Sequence, residues 1–196
     1  MSRADGGDRV VSSDSEQLIL VDSDDAEAGF LDKGRCHDGE GILHRAFSLF
    51  IFDNRGELLL QQRAAGKRLW PMYWSNSCCS HPRKGEAMPE ATRRRLADEL
   101  GIEASLEFVY KFSYQARFGD KGSENELCSV FLGRSDDPVR PNRTEIAAIR
   151  HVEASALARE LQSSPQAFTP WFKMEWDELR TRFAATLAAY TDRKLR

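Results

Sequence analysis

The sequence predicts an α+β fold, a single compact domain in which a mixed β-sheet lies between helices. Three observations carry this reading. Strand-type segments precede and follow one central helix over residues 89–100. Residues 171–190 have helical periodicity and make the longest predicted helix. A chain of 196 residues is of single-domain size, and no internal repeat or second domain is visible in it.

Taken in order, residues 1–16 are rich in Ser, Asp, Gly and Arg and poor in aliphatic side chains, which predicts a disordered tail ahead of a folded domain over 17–196. Residues 17–22 are a short apolar strand, 23–28 an acidic turn, and 33–41 a loop of glycines and charges. Residues 42–53 are rich in Phe and Ile and suit a buried strand. The turn Asp53-Asn54-Arg55-Gly56 leads into a second strand over 57–62, completing a hairpin. Pro71 makes 70–73 a loop. Pro89 suits the first turn of the central helix, and Gly101 its C′ position. On that helix Arg95 and Glu99 share one face, and Leu96 and Leu100 a neighbouring one. Residues 106–114, 124–132 and 147–152 are further strands. A short helix over 155–161 is followed by Pro165 and Pro170, which break the chain before the last helix.

Composition excludes several classes. With 41% hydrophobic and 30% charged residues the chain is of ordinary globular type, and a net charge of −3 gives no nucleic-acid footprint. No apolar run is long enough to span a membrane, and no signal-type apolar segment stands at the N-terminus. The four cysteines form no CxxC pair, which points to a reducing cytoplasm.

The chemistry centres on Trp74-Ser-Asn-Ser-Cys-Cys-Ser-His-Pro82. In an extended segment Cys79 and His81 face one way and Cys78 the other. Basic residues flank the stretch: Arg63, Lys67, Arg68, Arg83, Lys84 and Arg93 to Arg95. They read either as a solvated face or as a phosphate site. Glu124 and Glu126 share a strand face, where two carboxylates repel unless a cation or a shared proton intervenes. The plain alternative is a solvated strand. With His37, His44 and His81 these glutamates make a plausible N₃O₂ set for a divalent cation, though spacing alone leaves their convergence open. Cys79 is either a small buried apolar residue or a thiol biased toward thiolate by neighbouring basic groups. Trp171 is either core packing or an aromatic wall for a developing cation.

Residues 80–102 resemble a degenerate Nudix box, GX5EX7REUXEEXGU. Glu86, Arg94, Leu96, Glu99, Gly101 and Ile102 fit it, whereas Ser80, Arg95 and Asp98 replace a Gly and two Glu. Those departures weigh against pyrophosphohydrolase activity. The stretch Asn76–Pro82, Glu124-Asn125-Glu126, the His37/His44 pair and Phe168-Thr-Pro-Trp171 are similar to type I isopentenyl-diphosphate isomerases over roughly residues 17–177. The resemblance implies a Nudix-like mixed sheet between helices. It also implies conversion of isopentenyl diphosphate to dimethylallyl diphosphate by protonation and deprotonation. By position, Cys79 matches the catalytic thiol, Glu126 the catalytic carboxylate and Tyr114 the tyrosine that hydrogen-bonds it. His37, His44, His81, Glu124 and Glu126 match the ligands of a tightly bound divalent metal (Mn²⁺, Mg²⁺ or Zn²⁺). Glu99 matches the carboxylate that meets a second, substrate-associated Mg²⁺. Lys33, Arg63, Lys67 and Arg95 match the diphosphate-binding positions, and Trp171 the tryptophan over the isoprenoid carbons. The expected partner is therefore a small molecule, with no nucleic acid and no membrane, acting on a monomer or else a homodimer. Two other readings stand beside it: a Nudix hydrolase of a diphosphate-containing small molecule, and a metal-binding domain without activity.

Overall fold

The computed structural model describes residues 9–192. The fold is built around one strand. β3 (His44–Phe52) runs through the middle of a nine-stranded mixed sheet. Along one edge it pairs in parallel with β8 (Ser123–Arg134) over its whole length. Along the other it meets three partners in succession, all antiparallel: β1 (Gln17–Val21), β6 (Cys78–Ser80) and β4 (Leu58–Arg63). β2 (Glu27–Asp32) extends the sheet beyond β1. β7 (Leu106–Arg117) pairs with β8, while β9 (Ile146–Val152) and the two-residue β5 (Trp74–Ser75) pair with β4.

Alternation along β3 makes two cores. Phe47, Leu49 and Ile51 point to α2 (Met88–Leu100), against Ala91, Leu96 and Leu100. Ala46, Phe50 and Phe52 point to the opposite layer, made by α4 (Pro170–Thr181), α5 (Ala184–Thr191) and α3 (Ala154–Ser163). There Phe50 stacks on Phe172 and Trp176 at centroid distances of 6.0 and 6.3 Å. The sheet is thus sandwiched between helices, as its binary pattern requires. The helix over 88–100 ends on Gly101, whose φ of 65° is the left-handed cap that glycine adopts without strain.

The structure departs from the sequence reading in four places. The expected loop over 33–41 opens with a single helical turn, α1 (Lys33–Cys36). The acidic turn is shorter than expected, because β2 begins at Glu27. The expected longest helix over 171–190 is two helices, since Phe183 leaves the helical path and stacks on Tyr110 at 4.9 Å and 7°. α2, with 13 residues, is the longest. Of the expected tail, residues 1–8 lie outside the described residues, while 9–16 lie against the domain, with Val11 buried.

One buried carboxyl stands in the α4 layer. Glu175 is fully buried and receives a hydrogen bond from Cys128 Sγ at 3.6 Å. Burial pushes its pKa up to about 8, against contacts with Ser48 and Cys128 that lower it. It is therefore neutral at pH 7 in the folded protein and ionised in the unfolded chain. The stability this group contributes is fully present below its unfolded pKa of about 4.5 and is lost as pH rises toward 8. Glu175→Gln should flatten that loss. Urea unfolding of both proteins at pH 5 and pH 8 should show the wild type losing more stability over the interval than the variant. Equal losses would mean that Glu175 is ionised in the fold.

Candidate active site

Strand register assembles the site. His44 on β3 lies opposite Glu126 on β8, and Glu126 lies opposite Tyr114 on β7. Side chains opposite one another on adjacent strands share a face, so Glu126 sits between an imidazole and a phenol. Two residues earlier on β8, Glu124 occupies the same face. On the other edge of β3, Ser48 pairs with Cys79 and Leu49 with Cys78. Cys79 accordingly packs in the α4 layer with Tyr114 and Trp171, whereas Cys78 is in the α2 core. His37 follows α1 and is fixed by a close backbone approach: Ser123 N–H donates to its carbonyl at 3.0 Å. A Cβ on Gly122 would stand 2.1 Å from that same oxygen, so the tip of the β7–β8 hairpin has room only for glycine there.

Five side chains converge. One ligand atom each from His37, His44, His81, Glu124 and Glu126 lies within 4.8 Å of all the others, and all five residues are buried. The Nδ1 atoms of His37 and His44 lie 2.6 and 2.7 Å from the carbonyls of Lys33 and Ile42, which turns both Nε2 atoms toward the cluster. His37 Nε2 is 2.8 Å from Glu124 Oε2, and His81 Nε2 is 2.8 Å from Glu126 Oε1. His44 Nε2 is buried without a hydrogen-bond partner. Burial, followed by the neighbouring histidines, pushes His81 well down and takes His44 to about 4. Both are neutral at pH 7 with a lone pair available. Burial also pulls His37 down, but Glu124 outweighs it and the net direction is up. Glu124 is raised by burial yet held at about 2 chiefly by His37, while burial and then Glu124 push Glu126 well up. Two neutral imidazoles, an unpartnered buried imidazole nitrogen among them, and two adjacent carboxylates beside a third histidine are a donor set that fits a divalent cation.

This cluster floors a cavity of about 320 Å³. Cys79, Tyr114 and Trp171 line its inner part, and Lys33, Lys67 and Arg95 its charged end. Tyr114 Oη donates to Glu126 Oε2 at 2.7 Å, and burial pushes that phenol well above its ordinary range. Arg63 bridges the two parts. Its guanidinium stands 5.2 Å from the centroid of the Trp171 ring and 4.0 Å from Cys79 Sγ. Burial pushes the Cys79 thiol up to about 12, with Arg63 pulling the other way. The thiol is therefore held protonated, contrary to the thiolate bias that basic neighbours alone suggest. A larger groove, of about 1110 Å³, lies between α2 and β7, where Asp25 pairs with both Arg45 and Lys111.

The NUDIX domain family matches residues 42–172. An isopentenyl-diphosphate Delta-isomerase of Burkholderia multivorans is 47% identical over 157 residues, covering 80% of this chain and 89% of that protein. Isopentenyl-diphosphate Delta-isomerase 1 of Photorhabdus laumondii is 42% identical over 166 residues, covering 84% and 94%. The chain belongs to this isomerase family, within the Nudix superfamily. A crystal structure from Deinococcus radiodurans superposes with a TM-score of 0.65 at 20% identity, covering 90% of this chain and all of that one, which speaks for the fold alone.

Of the family-matched positions, His44 lies within the cluster but not on the cavity lining, and Glu99 reaches neither. It is 2% exposed, and its Oε1 accepts from Arg95 Nε and Nη2 at 2.9 and 2.6 Å and from the Cys78 thiol at 3.3 Å. This gives Cys78, turned away from Cys79, a partner. Two site residues carry no signal of their own in the sequence. Glu145 is buried between Lys67 and Arg95 Nη2, the latter at 3.2 Å. Trp70, buried with a φ of 45°, meets Trp171 edge-on at 5.2 Å.

The five-residue cluster should retain one divalent ion per chain through purification. His44→Ala should lose it, since His44 presents an unpartnered Nε2 to the cluster. Elemental analysis of both proteins checks this, with chelation expected to lower the melting temperature of the wild type only. Equal metal content in the two would remove His44 from the ligand set.

Proposed function

We propose that the chain interconverts isopentenyl diphosphate and dimethylallyl diphosphate. The observation that carries the reading is the pairing, in one cavity, of a thiol with a carboxyl–phenol couple, below an aromatic wall and beside a cluster of cations. The reaction adds a proton to the terminal methylene carbon and removes one from the carbon next to the diphosphate-bearing carbon. The double bond moves by one position, and positive charge passes through the branched carbon. An unactivated alkene is a very poor base, so the donor must act in a site that excludes water. Glu126 and Tyr114 serve one side of the substrate and Cys79 the other. One side gives a proton to the methylene carbon and the other takes a different proton from the carbon next to the diphosphate-bearing one, and the roles exchange in the reverse direction. Tyr114 holds Glu126 Oε2 in place, and His81 holds Oε1. The indole of Trp171, which already faces the Arg63 guanidinium, would stabilise the tertiary cation by about 0.5–2 kcal/mol. Lys33, Arg63, Lys67 and Arg95 would hold the diphosphate, which serves as a handle.

His37, His44, His81, Glu124 and Glu126 would hold the tightly bound divalent ion, Mg²⁺, Mn²⁺ or Zn²⁺. When bound, that ion stabilises the ionised form of Glu126 and so sets its acidity. By the family pattern Glu99 would meet a substrate-associated Mg²⁺, for which Arg95, which holds its Oε1, would have to release it. All these residues come from one chain, so a monomer suffices. No helix among the described residues is long and apolar enough to cross a membrane. Four unpaired cysteines suit a reducing cytoplasm.

Incubation with isopentenyl diphosphate and Mg²⁺ should yield dimethylallyl diphosphate without phosphate release, whereas phosphate release without isomerisation would favour a hydrolase. Cys79→Ala should abolish turnover while keeping the metal, and Cys78→Ala should be mild. Glu126→Gln should be slower than Glu124→Gln by about 10²–10⁴-fold at saturating metal, because an amide cannot relay a proton. Equal rates for those two variants would make Glu126 a ligand only.

A further inference from the structure

The segment before β1 takes part in the site. Residues 9–16 cross the charged end of the cavity, and Val10, Ser12 and Asp14 line it. The segment is pinned on both sides. Gly34 N–H donates to Asp14 O at 2.9 Å and Lys33 N–H to Glu16 O at 2.8 Å. Asn142 Nδ2 donates to Arg9 O at 2.8 Å, and the Val11 residue between these anchors is 8% exposed. Between the pins it meets two of the cations just assigned to the diphosphate. Arg95 Nη1 donates to Val11 O at 2.9 Å, and Lys33 Nζ donates to the Ser12 hydroxyl.

Charge at this end is dense, and one cation is left unpaired. Lys33, Lys67 and Arg95 crowd together, and burial followed by those two neighbours pulls the Lys33 amine down. Glu145 pairs with Lys67 and Arg95, Glu99 pairs with Arg95, and Asp14 lines the same end. Val11 O and Ser12 Oγ are neutral acceptors, and Lys33 makes no ion pair among the described residues, so its ammonium remains for an anion. The Ser12 oxygen accepts from Lys33, which leaves its own hydrogen free to donate.

We propose that residues 9–14 form a fixed wall of the diphosphate subsite and that the Ser12 hydroxyl is a further substrate contact, donating to a phosphate oxygen beside Lys33. The inference rests on the isomerase reading for the identity of the anion. A pinned wall, unlike a displaceable strap, adds to affinity and does not compete with the substrate. It acts on binding and not on the proton transfers, which take place at the other end of the cavity.

The test measures Mg²⁺-dependent binding of inorganic pyrophosphate by calorimetry, together with the kinetics of isopentenyl diphosphate. Ser12→Ala should weaken pyrophosphate binding about tenfold and raise KM similarly with kcat unchanged. Ser12→Thr, which keeps the hydroxyl, should restore both. A chain lacking residues 1–13 should bind pyrophosphate at least as weakly as Ser12→Ala. Unchanged binding in Ser12→Ala, at an unchanged melting temperature, would overturn the contact. Tighter binding in the shortened chain would make the segment a competitor and overturn the wall. Wild-type turnover of isopentenyl diphosphate decides the isomerase reading separately, because pyrophosphate affinity is read without it.

Discussion

The site depends on the parallel register of β3 and β8. That register sets His44 opposite Glu126, and the β7–β8 hairpin sets Tyr114 on the other side of the same carboxylate. A slip of one residue in either pairing would turn Glu126 to the α2 face and scatter the cluster. What fixes the register is hydrophobic alternation. Phe47, Leu49 and Ile51 must reach one core while Phe50 and Phe52 reach the other, so the packing of the domain and the placement of its reactive carboxyl are one constraint. The buried charges are tolerated only because each has partners: His81 and Tyr114 on Glu126, His37 beside Glu124.

The helix that gives the Nudix box its pattern has a different use here. Arg95 stands where the pattern has a carboxylate, and it ties Glu99 on one side and Glu145 on another, both in the buried interior. Such a helix presents a cation toward the cavity and withdraws its acid beneath the sheet. The divalent site is mounted on β3, β8 and the segments around His37 and His81 instead. That shift separates the anchoring of the diphosphate from the carboxyl assigned to proton transfer, which suits a reaction that leaves the phosphate bonds intact.

Much of this was legible in the sequence, for physical reasons. Period-two alternation predicted the opposite faces of Cys78 and Cys79, and both cores bear it out. Proline and glycine marked both ends of α2. The histidines and glutamates could be gathered as a donor set by chemistry, but their convergence needed long-range register that no local pattern contains. The same limit hid Trp70 and Glu145, which look like loop residues until the chain folds over them. The break at Phe183 was invisible because the stack on Tyr110 overrides helical periodicity. The sequence left two readings of Cys79 open because burial, which outweighs the nearby arginine, is set only by the fold.

At the centre of this account is a proton exchanged with the substrate from two sides of one dry cavity. Turnover of isopentenyl diphosphate in D₂O, followed by NMR, tests that most directly. The account predicts deuterium in a methyl group of the dimethylallyl product, delivered by a residue that has exchanged with solvent. Product formed at the full rate with no deuterium would contradict it.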